Sequence, residues 1–128
     1  YYNIHYSNIA LHSFASTCNI VDTDRENLGQ HHVTNVSEGT IQMKSIDEYY
    51  IENKIKHCDL IHLDVEGHES HVLEGAINTI KKHKPVIVIE DFRQNCGETL
   101  NSLDYKLFKQ LSKIDKIWLH DSHKELDV

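Results

Sequence analysis

Acidic side chains stand at the ends of two apolar stretches of the sequence. Asp64 comes at the end of the run 59–65 and Glu66 follows it closely, while Glu90 and Asp91 end the β-branched run that begins at Val86. In open α/β sheets, ligand sites lie beyond the carboxyl ends of the strands. If both runs are strands of one sheet, these residues can form a cluster of carboxylates at such a site.

Two ionised carboxylates on neighbouring strands repel each other. Neighbouring strands lie about 4.8 Å apart, and two charges about 5 Å apart repel by roughly 3 kcal/mol at an effective dielectric constant near 20. Protonation of one acid or the binding of a cation relieves this repulsion, and oxygen ligands suit a divalent ion such as Mg²⁺ or Ca²⁺. The pattern predicts that Asp64 holds a divalent metal together with Glu90 or Asp91.

A structural explanation competes for two of the acids. Glu66 and Glu69 fall in the first turn of a predicted helix, where the helix dipole stabilises carboxylates without any function. Asp64 is harder to explain in this way, because an acid at the mouth of a buried strand needs a partner. Gly67 is typical of a tight turn between a strand and a helix.

The elements that would position these acids alternate between strand and helix. Hydrophobic periodicity, turn formers and one capping-box spacing, Ser45 with Glu48, support the assignment. We predict strands at 2–11, 40–44, 59–65, 86–90 and 116–120, helices at 46–54, 67–83 and about 103–111, and loops at 12–39 (or a weak hairpin) and 93–102. The strand, helix and strand between 60 and 90 have the length of a βαβ unit, so those two strands should be adjacent and parallel. The fold class is α/β.

Composition limits the function classes. The 128 residues suffice for one domain with a core. The net charge of −7 argues against nucleic-acid binding, and the longest apolar run, Val86–Ile89, is far too short for a membrane span. The scattered Cys18, Cys58 and Cys96 are typical of reduced thiols in a cytoplasmic protein. Because the first residue is Tyr1, we expect a piece of a longer chain.

The segment 61–90 resembles the signature of FkbM-type S-adenosylmethionine-dependent methyltransferases. That signature has Asp-Val-Glu-Gly-x-Glu, then Val-Leu-x-Gly-Ala, then Lys-Pro and a strand ending in Glu. The matching residues are Asp64, Val65, Glu66, Gly67, Glu69, Val72, Leu73, Gly75, Ala76, Lys84, Pro85 and Glu90. Further similarity covers "NIAL" at 8–11, "SIDEY" at 45–49 and "LDYKLF" at 103–108. His62 departs from the usual Lys of the family, and Asp104 from its Gly.

The resemblance implies a Rossmann-like class I methyltransferase sheet that lacks its first two strands and its glycine-rich loop. Residues 1–128 would then be a single partial domain, its C-terminal part, because none of the five glycines forms that loop. The resemblance implies S-adenosylmethionine as cofactor, with contacts from Ala10, Leu11 and Asp64. The catalytic residues would be Asp64, Glu66 and Glu90, and the acceptor a hydroxyl of a sugar or small metabolite. A divalent metal on Asp64, Glu90 and Asp91 could lower the pKa of that hydroxyl.

Two other functions remain open. One is a metal-binding or hydrolytic α/β protein, because His62, Asp64, His68 and His71 lie close together among eleven histidines. Their convergence is doubtful, since His68 and His71 belong to a predicted helix and His62 to a strand. The other is a non-catalytic remnant, and we expect the 128 residues alone to be inactive.

Overall fold

The computed structural model describes residues 3–22, 31–35 and 39–123. The fold mixes helices and strands, as the α/β prediction requires. The elements in chain order are β1 (Ile9–Leu11), β2 (Ser16–Asp22), β3 (His31–Asn35), β4 (Ile41–Lys44), α1 (Ile46–Glu52), β5 (Leu60–Leu63), α2 (Glu69–Glu74), α3 (Ile77–His83), β6 (Val86–Glu90), α4 (Gly97–Ser102), β7 (Tyr105–Gln110) and β8 (Asp115–His120).

The described strands form two sheets of four. The first has the order β1-β4-β2-β3, with β1 parallel to β4 and the other pairs antiparallel. The second has the order β5-β6-β8-β7, with β5 parallel to β6, and β8 antiparallel to both β6 and β7. The predicted adjacent parallel pair is therefore confirmed, and the strand predicted at 116–120 is present as β8.

The core is built mainly on the second sheet. Alternate residues of β6, Ile87 and Ile89, are fully buried, and Val72, Leu73 and Ile80 of the crossover helices pack in the same cluster. Lys84 ends α3 in the left-handed conformation, and Pro85 separates it from β6. β5 is an edge strand, because within the described ranges only β6 pairs with it. Leu60 of β5 is 57% exposed.

The crossover is two helices, not the one predicted over 67–83. α2 ends at Glu74 and α3 starts at Ile77. Between them Gly75 lies against the carbonyl oxygen of His12, only 2.4 Å from where a Cβ would stand. This close approach of the chain that follows β1 requires a glycine, and the helix breaks there.

The helix predicted near 103–111 is wrong. Residues 105–110 form β7, which pairs with β8 through a bulge between Leu107 and Lys109. Leu107 and Phe108 are about half exposed, so their helical spacing reflects no buried face. Tyr105 is buried instead, and its hydroxyl donates a hydrogen bond to the carbonyl oxygen of Pro85 at 2.6 Å. The loop predicted at 93–102 contains α4.

The predicted N-terminal elements are partly confirmed. The strand expected over 2–11 is limited to Ile9–Leu11 among the described residues, and residue 2 lies outside them. The segment 12–39 contains the hairpin of β2 and β3, while 23–30 and 36–38 lie outside the described residues. The capping box is confirmed: Ser45 Oγ accepts from the Glu48 amide, and Glu48 accepts from the Ser45 amide.

No described helix is long and apolar enough to cross a membrane.

Candidate functional site

Three carboxylates meet where β5 and β6 end. Asp64 directly follows β5, Glu90 is the last residue of β6, and Glu66 lies in the turn after β5. Each residue offers a carboxylate oxygen, and these oxygens all lie within 4.8 Å of one another. The parallel register, which pairs Leu63 with Ile89, brings the two strand ends to the same edge. We call Asp64, Glu66 and Glu90 the acid cluster.

Repulsion within the acid cluster changes the titration of Glu90. A hydrogen bond to Asp64 and partial burial raise the pKa of Glu90 from 4.5 to about 7, and the negative charges of Asp64, Glu66 and Asp115 add to the rise. Asp115 faces Glu90 across the β6–β8 pair. Near neutral pH, Glu90 therefore changes between its protonated and its ionised form.

The turn between β5 and α2 separates Glu66 from Glu69. Glu66 and Gly67 both have positive φ, at 49° and 94°. The buried Glu69 carboxylate accepts hydrogen bonds from the backbone amides of Val65 at 3.2 Å and Gly67 at 3.3 Å. Glu69 therefore stabilises the turn from inside, while the turn brings Glu66 to the acid cluster.

Asp91 does not join the acid cluster. Side chains alternate across a strand, so Asp91 points to the opposite face from Glu90. Its buried carboxylate accepts from Lys116 Nζ at 3.3 Å and from the Asn95 amide at 3.2 Å. Of the predicted metal ligands, the structure thus brings Asp64 and Glu90 together and pairs Asp91 with a cation.

A groove of about 350 Å³ lies between β1 and β5. Leu11, one of the predicted cofactor contacts, lines it, whereas the neighbouring Ala10 is half-buried and not part of its lining. Most of the wall is apolar, from Ile9, Ile61 and Leu63. The groove is suited to an apolar or aromatic group.

A second cluster consists of His12, His68 and His71, which we call the histidine cluster. One ring nitrogen of each lies within 4.8 Å of the others. His12 follows β1 in the first sheet, whereas His68 caps α2 and His71 lies within it. Burial lowers the pKa of His12, and His71 and His68 lower it further. His12 was not among the predicted residues, because no local spacing indicates a contact between β1 and α2. His62, which was among them, lies outside the cluster.

Comparison with known families decides the assignment. A family model described as the methyltransferase FkbM domain matches residues 1–120. The chain belongs to the FkbM methyltransferase domain family. No curated protein and no solved structure matches the chain. Membership in the FkbM family confirms the resemblance read from the sequence and makes the chain a methyltransferase by family.

Proposed function

We propose that this FkbM-family chain is part of an enzyme that transfers a methyl group from S-adenosylmethionine to a hydroxyl oxygen of a sugar or other small metabolite. The observation that carries the proposal is the approach of the Asp64 and Glu90 carboxylates at the ends of adjacent parallel strands, which raises the pKa of Glu90 to about 7. Ligand sites of α/β sheets lie at this edge, and an acid with a pKa near 7 is suited to proton transfer at neutral pH.

The described residues fit that cofactor only in part. Leu11 and the apolar groove between β1 and β5 could contact its adenine, with Ala10 nearby, and Asp64 could face its reacting end. No two of the five glycines are closer together than Gly67 and Gly75, so no glycine-rich turn forms the backbone cradle for the methionine portion. We therefore propose that residues 1–128 are the C-terminal part of the domain, that other residues supply this turn, and that the 128 residues are inactive alone.

The bound cofactor would supply an electrophilic methyl group on a sulfonium sulfur. The acid cluster would prepare the acceptor: Glu90, in its ionised form, accepts the hydroxyl proton while Asp64 holds the Glu90 carboxyl in place through their hydrogen bond. Glu66 lies beside both and adds negative charge that favours proton uptake. Such a methyl transfer is an in-line displacement, so positioning of the acceptor oxygen supplies much of the rate.

A divalent cation could replace the proton on Glu90. Three carboxylates within 4.8 Å are hard oxygen ligands of the kind that Mg²⁺ and Ca²⁺ prefer. An ion held by Asp64, Glu66 and Glu90 would lower the pKa of a coordinated acceptor hydroxyl. Because Asp91 is engaged by Lys116, the proposed ligand set contains Glu66 in its place.

The test uses the full-length polypeptide and transfer of a labelled methyl group to a panel of sugars and hydroxylated metabolites. We expect Glu90→Gln and Asp64→Asn to lower turnover by about 100-fold, the usual contribution of a general base. The matched control is Glu98→Gln, an exposed acid outside the cluster, which should leave turnover unchanged. Equal turnover of all variants and the wild type would refute the proposed role of the acid cluster.

The cellular location is a separate proposal. Cys18, Cys58 and Cys96 are buried, free thiols. Thiols persist in this state most readily in a reducing compartment, so we propose a cytoplasmic location.

A further inference from the structure

The histidine cluster joins the end of β1 to α2, and the proposed methyl transfer does not involve it. His12 is 7% exposed, and its amide donates to the Lys44 carbonyl of β4 at 3.0 Å, which fixes it to the first sheet. Gly75, at the end of α2, lies against the His12 backbone. These contacts hold His12 beside the helix that carries His71, so the cluster is built by the packing of the fold.

The arrangement of the rings would suit a transition metal after a small movement of one ring. Three imidazole nitrogens within 4.8 Å need to approach to roughly 3.3 Å to share one tetrahedral ion at metal–nitrogen distances near 2.0 Å. His71 is exposed and can make this movement, while His12 stays fixed. Imidazole ligands favour Zn²⁺, Co²⁺ and Ni²⁺ over Mg²⁺ and Ca²⁺.

Side-chain oxygens lie near two of the rings. His12 Nδ1 lies 3.1 Å from Ser13 Oγ, and His71 Nδ1 lies 3.9 Å from a carboxylate oxygen of Glu74. Contacts in which one ring nitrogen faces a hydroxyl or carboxylate oxygen orient metal-ligating histidines and fix the tautomer.

We propose that His12, His68 and His71 bind one divalent transition-metal ion of the zinc type. The ion links the end of β1 to the start of α2, and so connects the first sheet to the turn that carries Glu66. Three imidazoles leave the fourth tetrahedral position to water or another ligand. This site is separate from the acid cluster, whose hard oxygen ligands select a different class of ion.

The experiment is calorimetric titration of the protein with Zn²⁺, with Mg²⁺ present in excess. We expect one zinc ion per chain and a rise in the midpoint of thermal unfolding. His71→Ala, a change at an exposed position, should weaken zinc binding by about 100-fold or more and abolish the thermal shift, since it removes a ligand. Glu74→Gln should weaken binding by about 10-fold, as expected for a group that orients a ligand.

Two controls separate the histidine cluster from its neighbours. His62→Ala removes an exposed histidine outside the cluster, and Asp64→Asn disables the acid cluster, so both should bind zinc as the wild type does. Absence of zinc uptake by the wild type would overturn the proposal, and the near-parallel stacking of His12 on His71 at 4.7 Å would then be packing alone. Zinc uptake that Asp64→Asn abolishes, or that His71→Ala leaves intact, would overturn it equally, whatever the outcome for methyl transfer.

Discussion

The buried acids of the interior and the acids of the acid cluster differ in the groups that surround their carboxylates. Buried Glu69 and Asp91 each meet backbone amides, and Asp91 also meets Lys116. In the acid cluster, Asp64 and Glu90 meet each other and Glu66, and the pKa of Glu90 is raised to about 7. An acid that is paired with amides or a cation therefore stabilises the fold, whereas an acid that faces other acids is available for a proton or a cation.

The largest expected effect is at Asp91. Asp91→Asn should lower the free energy of unfolding by about 3 kcal/mol, because it leaves the largely buried Lys116 ammonium without its counter-charge. Urea denaturation at neutral pH measures the change. The variant at the next position, Glu90→Gln, serves as control and should not destabilise the protein. A loss below about 1 kcal/mol for Asp91→Asn would show that this pair is no more important than a surface ion pair.

The next largest effect is expected at Glu69. Glu69→Ala leaves the Val65 and Gly67 amides without their acceptor, which should cost about 2 kcal/mol of unfolding free energy. Glu69→Gln keeps an acceptor oxygen and should recover most of the loss in the same denaturation assay. If glutamine is as harmful as alanine, the charge of Glu69 matters more than its hydrogen bonds to the turn.

A smaller loss of unfolding free energy is expected when Asp47 is replaced. Its carboxylate accepts from the amides of Asn78 and Thr79 in the first turn of α3, and from the Thr79 hydroxyl at 2.6 Å. Asp47→Ala should therefore destabilise the protein by about 1.5 kcal/mol, in the range of a lost helix cap. Differential scanning calorimetry should show a lower unfolding midpoint, and a midpoint equal to that of the wild type would contradict the capping role.

The smallest expected effect is an increase in unfolding free energy, and it concerns Glu90 of the acid cluster. Because the pKa of Glu90 is raised from 4.5 to about 7, the folded state holds a proton in this interval that the unfolded state releases. The contribution of Glu90 to stability is therefore complete below pH 4.5 and is lost as the pH rises through about 7. Glu90→Gln removes this dependence, so at about pH 8 the variant should be more stable than the wild type by about 1 kcal/mol after solvent screening.

The measurement is the difference in unfolding free energy between Glu90→Gln and the wild type at about pH 5 and about pH 8. The difference should grow with pH. A constant difference would show that Glu90 titrates normally, and the contrast between the interior acids and the acid cluster would then disappear.

The acid cluster was accessible to sequence reasoning because it depends on local rules. Asp64 and Glu90 end runs of strand-forming residues about one βαβ unit apart, and parallel neighbouring strands bring their ends together. For Glu66 the sequence left two explanations open, a place in the cluster or a stabilising role in the first helical turn, and the structure places it in the cluster.

The features that the sequence did not predict depend on long-range register and packing. The pairing of Asp91 with Lys116 requires that β8 lies antiparallel beside β6 in one register. His12 meets α2 through the close approach at Gly75, which leaves no periodic signal. Leu107 of β7 and Leu111, which follows it, happen to have helical spacing, but pairing with β8 and the Tyr105 hydrogen bond to Pro85 favour the strand.

The two outer edges of the second sheet should respond differently to a foreign strand. β7 carries Lys106 and Lys109, and such cations discourage the addition of a strand from another molecule. β5 has the sequence Leu-Ile-His-Leu, pairs on one side only within the described part of the chain, and exposes Leu60. When two molecules associate through this sheet, they should therefore meet at β5 and form a sheet that is continuous across both.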